Sequence, residues 1–305
     1  MTEKDNRPPR LSPIQVCYIV DDVAEAVAVC ETALGWGPFN HFTAEVESAS
    51  YRDWSGSKRV DVALGMAGAV QIELMHIHKG EDPVATFQSH YGTGIQHLGI
   101  HCKDRDQAIA FLNSVGSPTN EISEYPGIRF AFMDTPTGEG MFELVCPTDT
   151  FESSEVSGGT ATDSAASNST GNLVKRVTIA TNDIVGCVNF YASAFGWQDV
   201  RVDEASYQVE GQEYAARRSR AAAGLLEFEF VEPASDSSCP YRQHLARGGH
   251  GIVHAGVAID GEAVESLRRA KQTVGAGLSG QWLDTEEAFT LHSWEGGLNS
   301  LQFYT

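Results

Sequence analysis

The residues best suited to chemistry cluster in one short stretch, Gly94-Ile95-Gln96-His97-Leu98-Gly99-Ile100-His101. An imidazole sits there inside an apolar strand pattern, with glycine before it and a helix start, Asp104, after it. Two further stretches carry a carboxylate in similar surroundings: Gln71-Ile72-Glu73-Leu74-Met75 and Met141-Phe142-Glu143-Leu144-Val145. Alternation along a strand places Gln71, Glu73 and Met75 on one face and Ile72 and Leu74 on the other, so each acid points away from its most apolar neighbours. A fourth polar residue, Gln15, falls on His97 when the helix starts Asp22 and Asp104 are superposed, and Glu73 falls on Glu143 when the two acid-bearing strands are. One imidazole, two carboxylates and one amide oxygen, with no thiolate among them, suit a divalent ion such as Zn, Ni, Co, Mn or Fe. Singly, each residue has an ordinary alternative as a hydrogen-bonded core histidine or a solvated strand glutamate. Their joint placement at matching positions of a repeated pattern singles them out.

The elements that must position these residues form a repeat. A strand over 14–20 leads to a helix from Asp22 with Val23, Ala26, Val27 and Cys30 at helical spacing, and Gly35-Trp36-Gly37-Pro38 ends it. Strands follow near 41–50, 58–66 and 69–77. After a short helix near 82–90, the same order returns as a strand over 95–102, a helix from Asp104 and strands near 119–124, 128–134 and 140–146. The second half restarts the plan. A constant offset relates Asp22 to Asp183, Trp36 to Trp197 and Gln15 to Arg176, and His97 and His254 keep it to within a few residues, which marks a duplication. The reading is α+β, four βαβββ modules forming two cupped mixed sheets. Residues 1–12 read as a disordered leader, 13–147 as a first domain, 148–172 as a Ser/Thr/Gly-rich linker and 173–305 as a second domain.

Composition limits the partners. The chain has 305 residues, 41 acidic against 21 basic, and a net charge of −20, which argues against nucleic acid and anionic membrane as partners. Basic residues that could meet a highly charged substrate are few, with Lys58, Arg59 and Arg129 the nearest in the first half. No apolar run is long enough for a membrane span, and the polar, proline-bearing start is no signal peptide, so a cytoplasmic location is expected. Six cysteines without C-x-x-C spacing are expected as buried free thiols in a reducing compartment.

The segments around His97 and Glu143 resemble the vicinal oxygen chelate superfamily, which includes glyoxalase I, methylmalonyl-CoA epimerase, extradiol dioxygenases and fosfomycin and bleomycin resistance proteins. The resemblance covers nearly all of 14–147 and, more loosely, 174–305. It implies a tandem glyoxalase-type fold in which the first and last strands of each module supply metal ligands, here Gln15, Glu73, His97 and Glu143, around one divalent ion. A Gln/Glu/His/Glu set resembles the glyoxalase and epimerase branch. That branch implies a metal-dependent isomerase, epimerase or lyase that removes a proton next to a metal-bound carbonyl and stabilises the enolate. Glu143 is then one base, doubling as a ligand, and Asp61 lies near the place of the second, with a solvated edge residue as its alternative. The substrate is a small carbonyl compound, and the chain is a monomer or a homodimer. A non-catalytic tandem binding protein of the resistance type is the alternative, and an extradiol-type dioxygenase is disfavoured because Gln15 replaces a histidine. In the second half the four positions are Arg176, Glu229, His254 and Gln302. Arginine cannot ligate a metal, so Arg176 is expected to fill the space and pair with Glu229, leaving a degenerate site.

Overall fold

The computed structural model describes residues 9–125, 128–136, 138, 141–147, 173–209, 212–235, 239–246, 251–258, 280–283, 288–291 and 301–304. The expected linker and the first eight residues of the expected leader lie outside these.

The longer helical segments start where the sequence supplies a cap. Asp22 accepts a hydrogen bond from the Glu25 amide at the start of α1 (Val23–Val29), Asp104 from Gln107 at α3 (Arg105–Ser114), and Asp183 from Gly186 at α4 (Ile184–Phe195). Such caps satisfy amides that the helix itself leaves without partners. Helix α1 runs on into one π turn and stops at Gly35, whose φ of 67° a side chain rarely adopts. Two shorter helices, α2 (Pro83–Tyr91) and α5 (Pro240–Ala246), connect the modules within each half.

The strands of the first half are β1 (Ser12–Ile19), β2 (Asn40–Tyr51), β3 (Trp54–Ala67), β4 (Val70–Lys79), β5 (Gly94–His101), β6 (Thr119–Tyr125), β7 (Ile128–Asp134) and β8 (Met141–Pro147). Those of the second are β9 (Leu173–Ala180), β10 (Asp203–Val209), β11 (Gln212–Ala223), β12 (Leu226–Pro233), β13 (Ile252–Ala258), β14 (Gly280–Leu283), β15 (Ala288–Leu291) and β16 (Leu301–Tyr304). They form two eight-stranded mixed sheets of identical topology, β2-β3-β4-β1-β5-β8-β7-β6 and β10-β11-β12-β9-β13-β16-β15-β14. The expected α+β architecture with two curled sheets is what the chain forms. Strand β1 begins at Ser12, inside the expected leader, because Ser12 pairs with His101 and Leu11 is already buried.

In each sheet the two modules meet along their first strands, β1 against β5 and β9 against β13, both antiparallel. The closing strand of each module lies parallel to its own opening strand. One face of the first sheet packs beneath the helices through Val16, Tyr18, Ile72, Leu74, Leu98, Ile100, Phe142 and Leu144. The other holds a smaller apolar group, including Ile19, Val62, Met75, Phe130 and Met141, with Val84 and Phe87 of α2 against it. That second face is where the polar residues of interest gather.

One expectation fails at the cysteines. Cys102 and Cys146 are joined in a disulfide, while Cys17, Cys30, Cys187 and Cys239 are buried thiols. The bond follows from strand pairing: Cys102 just beyond β5 hydrogen-bonds to Val145 of β8, bringing the two Cα atoms to 5.3 Å.

Candidate metal centre

Strand register assembles the centre. Gln15 pairs with Gln71 and Cys17 with Glu73 across β1 and β4. Across β1 and β5, Cys17 pairs with His97 and Gln15 with Gly99, and Gly99 in turn pairs with Glu143 on β8. Partners in register present side chains to the same face, so Gln15, Cys17, Glu73, His97 and Glu143 share one side of the sheet. Strands β1 and β4 thus bring one set of donors to the module junction and β5 and β8 bring the other.

His97 is fully buried, and its Nε2 lies 3.2 Å from Glu73 Oε2 and 3.3 Å from Glu143 Oε2. His97 Nε2 and Glu73 Oε2 are buried atoms that make no hydrogen bond, as is Gln15 Oε1. Gln15 donates through Nε2 to Gln71 Oε1 at 2.9 Å, and its side chain lies over Gly99, where a Cβ would meet Gln15 Oε1 at 2.2 Å. A larger residue at 99 would push Gln15 aside. The other imidazole nitrogen, Nδ1, donates to Gln96 Oε1, so Nε2 is the nitrogen turned toward the two acids. Gln96 reaches the same side as its neighbour because β5 bulges there: Cys17 pairs with His97, but Tyr18 pairs with Ile95.

The charges of the cup are strained. Burial opposes a charge on His97, but Cys17, Glu143 and Glu73 together outweigh it and hold the imidazole well above its usual range. Burial pushes Glu143 up, with His97 opposing and Glu73 adding to the rise. Buried acids crowded on one imidazole need positive charge. A divalent cation fits this donor set on two counts. The acceptor atoms converge without partners, and ligands about 2.0–2.2 Å from one ion stand roughly 3 Å apart, close to the separations found. Among the described residues, Cys17, Glu73 and His97 also place one donor atom each within 4.8 Å of one another.

The structure therefore brings Gln15, Glu73, His97 and Glu143 to one face, and it adds Cys17 and Gln96, which the sequence reading passed over. Alternation could have found Cys17, two residues after Gln15 in the same strand. The bulge that presents Gln96 has no such signal. Asp61 does not join them. Its register partner on β4 is His76, whereas its neighbours Val60 and Val62 pair with Ile77 and Met75 on the cup face. Asp61 thus projects from the opposite face, where it accepts from Thr43 Oγ1 at 2.6 Å and lies 2.8 Å from His78 Nε2. Those two bonds hold its carboxyl below the usual range, the behaviour of a structural acid.

The second half repeats the frame with other chemistry. Arg176 pairs with Glu227 rather than Glu229, because strand register sets it opposite that residue. Glu229, almost fully buried, is instead met by Arg220 at 2.8 Å from the adjacent strand, and Thr178 Oγ1 donates to it at 3.2 Å. His254 lies opposite Thr178, as His97 does opposite Cys17. Gln302 pairs with Gly256, and its side chain lies outside what is described. Two guanidinium groups thus pair with the glutamates of this half.

Residues 14–132 match the family model of the Glyoxalase/Bleomycin resistance protein/Dioxygenase superfamily. The match lies within the first half, and the chain as a whole has a tandem fold of this kind. Among solved structures, a triple mutant of 4-hydroxymandelate synthase from Streptomyces coelicolor is 16% identical, covers 98% of this chain and 94% of its own, and superposes with a TM-score of 0.62. A xylose isomerase-like TIM barrel/4-hydroxyphenylpyruvate dioxygenase fusion protein matches 100% of this chain with 51% of its own at 14% identity and a TM-score of 0.54. Methylmalonyl-CoA epimerase from Mycobacterium tuberculosis is 24% identical over 45% of this chain and 88% of its own, with a TM-score of 0.34. The two full-length likenesses are of fold. No curated protein matches the sequence. Among the described residues, no helix is long and apolar enough to cross a membrane.

Proposed function

We propose that the first half is a metal-dependent isomerase, epimerase or lyase that moves a proton at a carbon next to a carbonyl group. The observation that carries this reading is the convergence of His97 Nε2 and Glu73 Oε2, buried and without hydrogen bonds, with the carboxylate of Glu143 on one spot of the cup. Gln15, Glu73, His97 and Glu143 would hold one divalent ion. When bound, such an ion supplies Lewis-acid stabilisation for negative charge developing on a substrate oxygen. Glu143 is the base. Burial favours its protonated form, so it can take a proton from a weak carbon acid and give it back. Gln96 holds the imidazole, and Phe132, 5.3 Å from the His97 ring, walls the site with Phe130 and Met141 and keeps water from the reacting carbon.

The same surroundings bear on the substrate. Lys58 is paired with Asp82, Arg59 with Glu45, and Arg129 with Asp106 and Glu124. Cations already committed to carboxylates favour a carbonyl compound of low charge over a phosphate-rich conjugate.

Deuterium wash-in from heavy water tests the reading on metal-loaded and chelated protein, using small 2-oxoaldehyde hemithioacetals, 3-oxo acids and acyl thioesters as probes. Metal-dependent exchange at the acidic C–H is expected. Replacing Glu143 with Gln should slow it by about 10²–10⁴-fold, the usual contribution of a positioned base, with metal content measured in parallel. Oxygen consumption with catechols and no exchange would replace this reading with oxygen chemistry.

A further inference from the structure

Beside the nitrogen and oxygen donors of the first cup lies a sulfur. Cys17 is fully buried on β1, with His97 beside it on one neighbouring strand and Glu73 beside it on the other. One donor atom from each of the three lies within 4.8 Å of the other two. An ion about 2.3 Å from a sulfur and about 2.0 Å from a nitrogen sets those two atoms roughly 3.5 Å apart, so donors within 4.8 Å of one another reach a shared ion by a side-chain adjustment of about an ångström. Two of the three residues also carry a buried atom that makes no hydrogen bond, His97 Nε2 and Glu73 Oε2. The sulfur and the gap in the hydrogen bonding therefore belong to one cluster of residues.

We propose that Cys17 is a thiolate ligand of the cation held in the first cup, together with Glu73 and His97. This rests on the reading of that cup as a metal site, and it specifies which metals the site takes. A thiolate favours zinc or cobalt over magnesium or manganese, which prefer oxygen alone. The repeated frame shows that this is particular to the first module. The residue that plays the part of Cys17 in the second module is Gly99, which has no side chain, and in the second half it is Thr178, which donates to Glu229. Gln15, anchored to Gln71 on the adjoining strand, sits one register step away.

The step balances simply. Forming the metal–sulfur bond breaks the S–H bond and passes its proton to solvent, as ligand thiols do. No electron moves.

Cobalt and zinc report on the sulfur without any substrate. The full chain is stripped of metal, loaded anaerobically with one equivalent of Co²⁺, and its optical spectrum recorded beside elemental analysis. The expected result is an intense near-ultraviolet sulfur-to-cobalt charge-transfer band that falls to background in Cys17→Ser, while Co²⁺ stays bound through the remaining donors. X-ray absorption of the zinc-loaded, unmutated chain provides a measurement that no folding defect can confuse, and it should show one sulfur at about 2.3 Å. Zinc or cobalt bound at one per chain with only nitrogen and oxygen neighbours would overturn the sulfur assignment and leave the proposed function standing. A chain that binds neither metal would overturn both.

Discussion

Glu121 shows at the scale of one residue how much the cup asks of its acids. It pairs with Phe132, which pairs with Glu143, so it faces the cup two strands out from the centre. One carboxylate oxygen accepts from Ser123 Oγ at 2.7 Å, and the other is buried with no hydrogen bond. Burial raises its pKa; Ser123 and Lys58 oppose the rise, while Asp82 and Glu143 add to it. A raised carboxyl binds its proton more tightly in the folded chain than in the unfolded one. Stability is therefore lost as pH rises from the unfolded value, about 4.3, through the folded one. Glu121→Gln removes that loss. Urea midpoints of the variant and the parent should be similar near pH 4, with the variant the more stable at pH 7. A parent that is relatively more stable at pH 7 would mean that Glu121 has a cationic partner instead.

At the scale of elements, what could be read from the sequence and what could not divide along the line between local and non-local physics. Strand lengths, helix starts and the duplication follow from alternation, helical spacing and capping aspartates, all set by residues close in the chain, and Asp22, Asp104 and Asp183 cap as expected. That Gln15, Glu73, His97 and Glu143 share a face was legible because the repeat supplies its own superposition. Register across strands is different. A shift of one residue reverses every side chain, and nothing near Asp61 announces that it pairs with His76 rather than Met75. Arg176 was paired with the wrong glutamate for the same reason, and Cys102 and Cys146 meet only because β5 and β8 lie parallel. The bulge in β5 is the sharpest case. It turns Gln96 toward His97, and its counterpart in β13 falls between Ile252 and His254. Partners that orient a ligating histidine typically account for 10–100-fold in metal affinity. Gln96→Ala should therefore weaken Zn²⁺ binding by about that factor in competition against a chelator. Unchanged affinity would show that strand geometry alone holds the ring.

Across the whole molecule, the two halves share one apolar core. Phe142, beneath the first sheet, stacks at 5.9 Å on Phe190 and meets Tyr191 and Phe195 of α4, all from the second half. At the turn between β3 and β4, Gly68 has no Cβ, and one placed there would lie 2.5 Å from the Leu173 side chain of β9. The buried cluster runs without a break from Val16 and Ile72 to Phe228 and Leu301. Division of labour follows from this continuity. The first cup holds buried acceptor atoms without hydrogen bonds, whereas the second joins arginine to glutamate. Metal bound in the first cup should then stabilise the entire chain. At a hundredfold excess over its dissociation constant an ion adds about 2.7 kcal/mol to a folded state that alone binds it. Calorimetry with and without Zn²⁺ should show one transition that moves upward as a unit, at a stoichiometry near one ion per chain. Two transitions, only one of which moves, would show that the shared core does not couple the halves, and two ions per chain would mean that Arg176 and Arg220 do not close the second cup.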